Sequence, residues 1–262
     1  MAPETTFPHG SRETAYPFSI VPRGLSQEIA SKYRGKKSQR HACGAYLRFQ
    51  IPEVLARNSI DEVYSLYVDV DCFFLNALIE PTVQPIFFAG CPDIRMDNWK
   101  FINSGVLLLN NRTMRVECEP LLDHARNHSF DFEFSRFGPC DQGALNTFLS
   151  GRWERLGLEY NWKPFWGISE SAVIAHFVGP NVFEAASYLS DDSDVVETYW
   201  SGTHRRFVAR NPAAYFYFLL RWLTVAQTLV DDLDRVMQLQ IADLTGRLEA
   251  LGASGRDLGL VP

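Results

Sequence analysis

Asp69-Val70-Asp71 is the triplet with the clearest chemical capacity in this sequence. Side chains two apart in a strand share a face, so both carboxylates would point the same way. Held side by side they repel, and a proton, water or a cation must relieve them. A hard divalent ion does so directly: magnesium or manganese takes one or two protein carboxylates and completes its shell with phosphate oxygens. His176 ends the apolar run Ala172-Val173-Ile174-Ala175 and offers the neutral imidazole that joins carboxylates around manganese-type ions. Each signal has a plainer reading when taken alone. D-x-D occurs in solvated turns, and a lone histidine beside apolar residues is more often a hydrogen-bonded core group. Asn103-Ser104-Gly105 is ordinary turn chemistry, and Asp141 suits the N-terminal cap of the helix that follows it.

These groups need elements to hold them. Residues 62–70 contain Val63, Tyr64, Leu66, Tyr67, Val68 and Val70, a nearly unbroken run of β-formers. Such a run predicts a strand buried on both faces, as in a parallel sheet flanked by helices, with the acidic pair at the strand end where α/β proteins place ligands. Further strands are expected over 85–89, 105–109 and 172–177, and helices over 42–55, 112–128 and 141–150. The alternation gives an α/β sheet with covered faces. Before it, residues 1–23 read as a proline-rich leader with one strand over 16–21. A short helix over 26–33 and a basic run, Lys32, Arg34, Lys36, Lys37 and Arg40, follow. From Pro212 to about Leu251 apolar residues recur every three or four positions, predicting one long amphipathic helix. Its stripe suits packing on its own domain, homo-oligomerisation, or contact with a membrane surface.

The hydrophobic fraction of 46% over 262 residues supports a substantial core, and the net charge of −6 excludes a broad phosphate-covering surface, hence a nucleic-acid partner. Five widely spaced cysteines without a C-x-x-C pair read as reduced thiols of a cytoplasmic protein. The apolar window 213–226 is shorter than the roughly 20 residues a membrane span needs, and it contains Arg221.

Six blocks in order resemble glycosyltransferase family 8: Tyr46-Leu47-Arg48-Phe49-Gln50-Ile51-Pro52-Glu53, Tyr67-Val68-Asp69-Val70-Asp71, Phe101-Ile102-Asn103-Ser104-Gly105-Val106, Asp141-Gln142-Gly143-Ala144-Leu145-Asn146, Tyr160-Asn161 and His176-Phe177-Val178-Gly179. The resemblance implies a GT-A-like (Rossmann-like) mixed sheet flanked by helices. It also implies a nucleotide-sugar donor, usually UDP-linked, Mn2+ or Mg2+, and hexosyl transfer to a glycan or other hydroxyl acceptor with retention. Carried over by position, Asp69, Asp71 and His176 are the metal ligands. Arg48 and Asn103 contact the donor, Asp141 holds sugar hydroxyls, and Gln142 lies near the anomeric carbon; Asp141 and Gln142 are the catalytic pair. Val70, Ser104 and Gly179 complete the donor-binding set. The domain assignment is 1–205 for the GT-A-like part, with a shortened N-terminus, and 206–262 for a C-terminal helical extension.

Two departures qualify the pattern. The family continues from its late histidine as H-x-x-G-x-x-K-P-W, whereas Val182 stands here at the lysine position. Neutralising a diphosphate would then fall to Arg48, Lys163, Arg205 or Arg206. Only 47 residues precede Arg48, so the nucleobase pocket is expected to be reduced or built differently. These departures keep a second reading open, a degenerate nucleotide-sugar-binding or assembly module without turnover. Paired aspartates also suit a metal-dependent phosphodiesterase, which the acidic balance and lack of clustered histidines disfavour.

Overall fold

A computed structural model describes residues 44–132, 137–190 and 200–253. The strand, short helix and basic run read over residues 16–40 lie outside them. The chain is mixed α/β, a mixed sheet flanked by helices. Four strands form the main sheet in the order β1 (Tyr64–Val68), β4 (Ile102–Asn110), β3 (Phe88–Pro92), β5 (Glu154–Arg155). A two-stranded sheet joins β2 (Cys72–Phe74) to β6 (Ile174–His176).

The centre of the sheet is β4, whose apolar run packs on both sides. Ile102, Leu107 and Leu109 face one cluster with Tyr46, Phe49, Leu121 and Leu145, while Val106 and Leu108 face another with Leu156, Tyr160 and Ile174. β4 is buried on both faces, but β1, the run over 62–70 expected to be buried that way, is an edge strand partly buried throughout, and the pairing also differs: β1 and β3 both run antiparallel to β4, and among the described strands of this sheet the short β3–β5 pair is the parallel one. Burial of both faces is common to either direction, so an apolar run cannot distinguish them.

The helices on the first face are α1 (Ile51–Arg57), α2 (Asn111–Phe132) and α3 (Cys140–Phe148). The remaining helices, α4 (Val182–Leu189), α5 (Ser201–Arg210), α6 (Pro212–Thr228) and α7 (Arg235–Ala253), pack on β6 through one cluster that includes Phe177, Phe218, Leu244 and Leu248. The expected single helix over 212–251 is thus two, α6 and α7. The chain turns at Leu229–Asp234, where Asp234 Oδ1 accepts from Met237 N–H at 2.9 Å and opens α7 as an N-terminal cap. Val230 and Leu233 keep the apolar spacing going through the turn and pack on the same cluster, which conceals the break in the sequence. No helix among the described residues is long and apolar enough to cross a membrane.

Candidate functional site

Backbone pairing brings the sequence-distant blocks together. The β1–β4 ladder sets Val68 opposite Val106, and Asp69 N–H extends it by donating to Gly105 C=O at 2.8 Å. Residues 69–71 then form a turn, closed by Cys72 N–H to Asp69 C=O at 3.2 Å, and Phe177 N–H donates to Asp71 C=O at 3.0 Å. On the other side of β6, His176 N–H donates to Trp162 C=O at 2.8 Å, placing Asn161 beside the imidazole.

Because the acidic triplet is a turn and not a strand, its two carboxylates part company. Asp69 Oδ1 is 3.1 Å from Arg48 Nη2 and also accepts the Tyr67 hydroxyl. Asp71 Oδ1 lies 3.2 Å from His176 Nε2. Val70 between them is fully exposed.

Arg48 is buried and organises the first half of the site. Its Nη1 donates to Ser104 C=O at 2.6 Å and its Nε to Ala45 C=O at 3.0 Å, with Asp141 Oδ2 3.1 Å from the same Nε. The guanidinium also lies over the Tyr67 ring, 4.5 Å from its centre. Burial works against the Arg48 charge, but Asp141 and Asp69 more than offset it and hold the group above its ordinary pKa. For Asp141 the balance reverses: burial outweighs the pull of Arg48 and raises its carboxyl.

The second half is a chain of amides whose direction is fixed by backbone donors. Gly105 N–H donates to Asn103 Oδ1 at 3.1 Å, which orients the Asn103 amide. Its Nδ2 donates to Gln142 Oε1 and to Asp93 Oδ1, each at 3.1 Å, and Ser104 N–H holds Gln142 Oε1 from a second side at 3.1 Å. Asn161, wholly buried, donates from Nδ2 to Asn103 Oδ1 at 3.1 Å, so its Oδ1 is the end that faces His176 Nδ1 at 2.9 Å. An oxygen there requires Nδ1 to carry the proton, leaving Nε2 of a neutral ring with its lone pair toward Asp71.

Two acceptors 3.2 Å apart need something positive between them, and Asp71 Oδ1 has no hydrogen-bond partner among the described residues. A proton or a cation serves. Burial alone would raise the Asp71 carboxyl, but His176 overrides it and holds it below the usual range, the direction expected when the ring supplies positive charge. The spacing also suits a shared metal: two ligands about 2.1 Å from one ion, at angles between octahedral and tetrahedral, stand roughly 3.0–3.4 Å apart. The His176 ring fits because Gly105 lacks a side chain; a Cβ there would stand 2.0 Å from His176 Cε1.

The groups expected from the sequence therefore meet, with three exceptions. Both contacts of Asp69 described above engage Oδ1 with Arg48 and Tyr67, while the metal-capable group among the described residues is Asp71, Cys72 and His176. Gly179 stands apart, adopting φ +94° where a Cβ would press on His204 and Phe207 of α5 at 3.1 Å. Lys163 cannot serve a diphosphate from its position: it is fully buried, donates to Pro92 C=O at 2.7 Å, and burial lowers its pKa to about 8. A groove of about 700 Å³ bordered by Glu53, Asp61, Arg112 and Arg115 lies at the far end of β1 and β4 and includes none of the site residues.

No protein-family model and no curated protein matches the chain. Among solved structures it is similar to the glycosyltransferase GlyE of Streptococcus pneumoniae TIGR4, with a TM-score of 0.43 and 16% identity over 68% of this chain and 46% of that one. It is also similar to the galactosyltransferase LgtC solved with donor and acceptor sugar analogues (TM-score 0.40, 15% identity, 64% of this chain and 66% of that one). The bifunctional glycosyltransferase WbbM is a third such structure (TM-score 0.38, 13% identity, 63% and 37%). The chain spans about half the length of GlyE. At such distances the chemistry must be argued from the residues themselves.

Sequence reasoning passed over Tyr67, Cys72, Asp93 and the role of Asn161. Asn161 was visible as part of the Tyr160-Asn161 block without an assigned function. Cys72 adjoins the acidic pair, but only the β2–β6 register reveals that it faces His176.

Proposed function

We propose that the chain is a metal-dependent glycosyltransferase that moves a hexose from a nucleotide-diphosphate sugar, UDP-linked, to a glycan or other hydroxyl acceptor with retention of configuration. The observation that carries this reading is the meeting of Asp71 and His176, 105 positions apart in the sequence, beside a connected cluster of Arg48, Asn103, Asp141 and Gln142. Asp71 and His176 would hold Mn2+ or Mg2+, with Asp69 available on the same turn. A bound divalent cation supplies Lewis acidity that offsets charge growing on the diphosphate.

The remaining work belongs to the protein's own groups. Arg48, fixed by Ser104, Asp69 and Asp141, sets the position of the acidic residues at the donor. Gln142 has its carbonyl oxygen held by Asn103 and Ser104 N–H, which leaves its amide N–H groups to orient the sugar. Buried Asp141 holds sugar hydroxyls from the low-dielectric side of the site, where a hydrogen bond is stronger than in water.

Asp71→Asn tests the reading. Donor turnover in the presence of manganese should fall by more than the about 10–100-fold that loss of an outer-shell partner causes, and near-normal turnover would defeat the proposal. Thermal stabilisation by a panel of nucleotide sugars, each with and without manganese, identifies the donor; saturation at about 100 times Kd adds roughly 2.7 kcal/mol. The sealed position of Lys163 and the valine at position 182 favour one alternative, a nucleotide-sugar-binding module without turnover. Calorimetric binding of UDP with manganese, with no donor hydrolysis, would select it.

A further inference from the structure

The turn after β1 delivers one more ligand-type atom than the proposed function requires. Cys72 opens β2 directly opposite His176 in the antiparallel ladder with β6. Opposed residues share a face of the sheet with Cβ atoms about 4.5–5.5 Å apart, so register alone turns the thiol and the imidazole to one side. Asp71 adds its carboxylate: an Asp71 oxygen, Cys72 Sγ and a His176 ring nitrogen all lie within 4.8 Å of one another. Two of the three atoms lack better partners. Among the described residues Asp71 Oδ1 is enclosed without a hydrogen bond, and the one hydrogen bond of Cys72 Sγ is to Gly105 C=O at 4.0 Å, the outer limit for sulfur. The third, His176 Nε2, has its lone pair turned toward Asp71 by the amide chain through Asn161.

We propose that Asp71, Cys72 and His176 form a three-ligand site for a thiophilic divalent cation of the zinc class, which competes with manganese or magnesium for Asp71 and His176. The competition rests on the function proposed above, whereas the three-ligand site does not. Carboxylate, imidazole and thiolate are the donors zinc takes, and three protein ligands leave its fourth position for water or a phosphate oxygen. Magnesium gains nothing from sulfur, and manganese lies at the weak end of the divalent series for any shared N/O set, so the thiol widens a preference zinc already has. Coordination forms one sulfur–metal bond and transfers the thiol proton to solvent without any change of oxidation state. Sulfur and nitrogen on one tetrahedral ion stand roughly 3.6 Å apart, so the three atoms need close by no more than about 1 Å, within reach of a Cys72 side-chain rotation.

Cobalt(II) is the probe. Chelator-treated protein titrated with Co2+ should develop the near-ultraviolet sulfur-to-cobalt charge-transfer band at one equivalent, and one equivalent of Zn2+ should abolish it. Cys72→Ser should lose the band and bind zinc more weakly by more than the roughly 10–100-fold that an outer-shell loss causes. Cobalt binding without the band, or a folded Cys72→Ser that holds zinc as tightly as the parent, overturns the site. The unaltered chain gives an independent answer by alkylation: zinc should shield Cys72 from iodoacetamide, read on the Cys72 peptide by mass spectrometry, and equal labelling with and without zinc also overturns it. UDP binding with manganese, measured on the same unaltered chain, separates the two claims. A thiolate band with no UDP binding keeps the zinc site and removes the transferase reading, whereas UDP binding without the band does the reverse.

Discussion

Replacing Gly105 by alanine tests whether His176 is held as the geometry implies. The new Cβ would stand 2.0 Å from Cε1, 2.7 Å from Nδ1 and 2.9 Å from Nε2 of the ring. Carbon contacts are comfortable from about 3.5 Å, so the ring would have to retreat by roughly 1.5 Å. A retreat of that size breaks the 2.9 Å hydrogen bond to Asn161 and the approach to Asp71. Position 105 lies inside β4, where its C=O accepts Asp69 N–H and its N–H donates to Asn103 Oδ1, so both backbone groups are held even though the β3 ladder skips it at an irregularity. Overpacking of this kind costs about 1–3 kcal/mol, and the lost hydrogen bond adds about 1 kcal/mol. Gly105 is not among the positive-φ glycines, so alanine there carries no backbone strain and would otherwise stabilise by about 0.4–1 kcal/mol through the unfolded state. The sign of the effect should therefore depend on the ring.

Thermal and urea unfolding of four chains reads this directly: the parent, Gly105→Ala, His176→Ala, and both together. Gly105→Ala alone should lower the melting temperature by about 2–4 °C per kcal/mol, or roughly 2–12 °C in all. In the His176→Ala background the same change should be neutral or stabilising, a coupling of about 2–4 kcal/mol because the overpacking and the lost hydrogen bond both vanish with the ring. Equal losses in both backgrounds would refute the claim that the glycine exists to admit the imidazole. Donor turnover should fall with the single variant as well, since misplacement by about 1 Å costs on the order of 100-fold.

Asn161→Asp cannot donate to Asn103 Oδ1, and that oxygen cannot turn away because Gly105 N–H holds it; manganese affinity followed by electron paramagnetic resonance should drop about 10–100-fold, and an unchanged affinity would sink the amide relay. Arg48→Met strands Asp141 in the interior and should cost roughly 3–5 kcal/mol by urea denaturation, of which adding Asp141→Asn should restore part. Lys163 supplies the pH test. Its folded pKa of about 8 lies below the ordinary lysine value of 10.5, so the unfolded chain binds the extra proton between those values and stability rises with pH across that window. Relative to Lys163→Met, the parent should gain about 2 kcal/mol between pH 7.5 and pH 10 in urea midpoints, and a flat difference would show that the lysine is not sealed.

The sequence was most legible where one physical demand dominates. The run Val106 to Leu109 is an interior strand as its unbroken apolar character predicts, and the blocks at Arg48, Asn103, Asp141 and His176 meet in one cluster. It was least legible where a decision rests on partners remote in the chain. Strand direction is one instance, since β1 presents the same apolar composition to a parallel or an antiparallel neighbour. The turn at Leu229–Asp234 is another, because Val230 and Leu233 satisfy helical spacing while Asp234 starts a new helix. Asp69 is the sharpest case: a two-residue period predicts a shared face with Asp71, but the i to i+3 bond from Cys72 to Asp69 makes a turn and sends the first carboxylate to Arg48.

A cation at this site would answer two features that do not depend on each other. One is charge: Asp69, Asp71, Asp93 and Asp141 gather around the guanidinium of Arg48 and the buried ammonium of Lys163, and even with Asp141 protonated the carboxylates outnumber the cations. The other is hydrogen-bond direction, which begins at a backbone N–H that cannot be reversed and ends with an imidazole lone pair aimed at a carboxylate oxygen. Adding a positive charge elsewhere nearby would relieve the first without touching the second. Only a positive centre between Asp71 and His176 relieves both, which is why a proton would compete with a metal there.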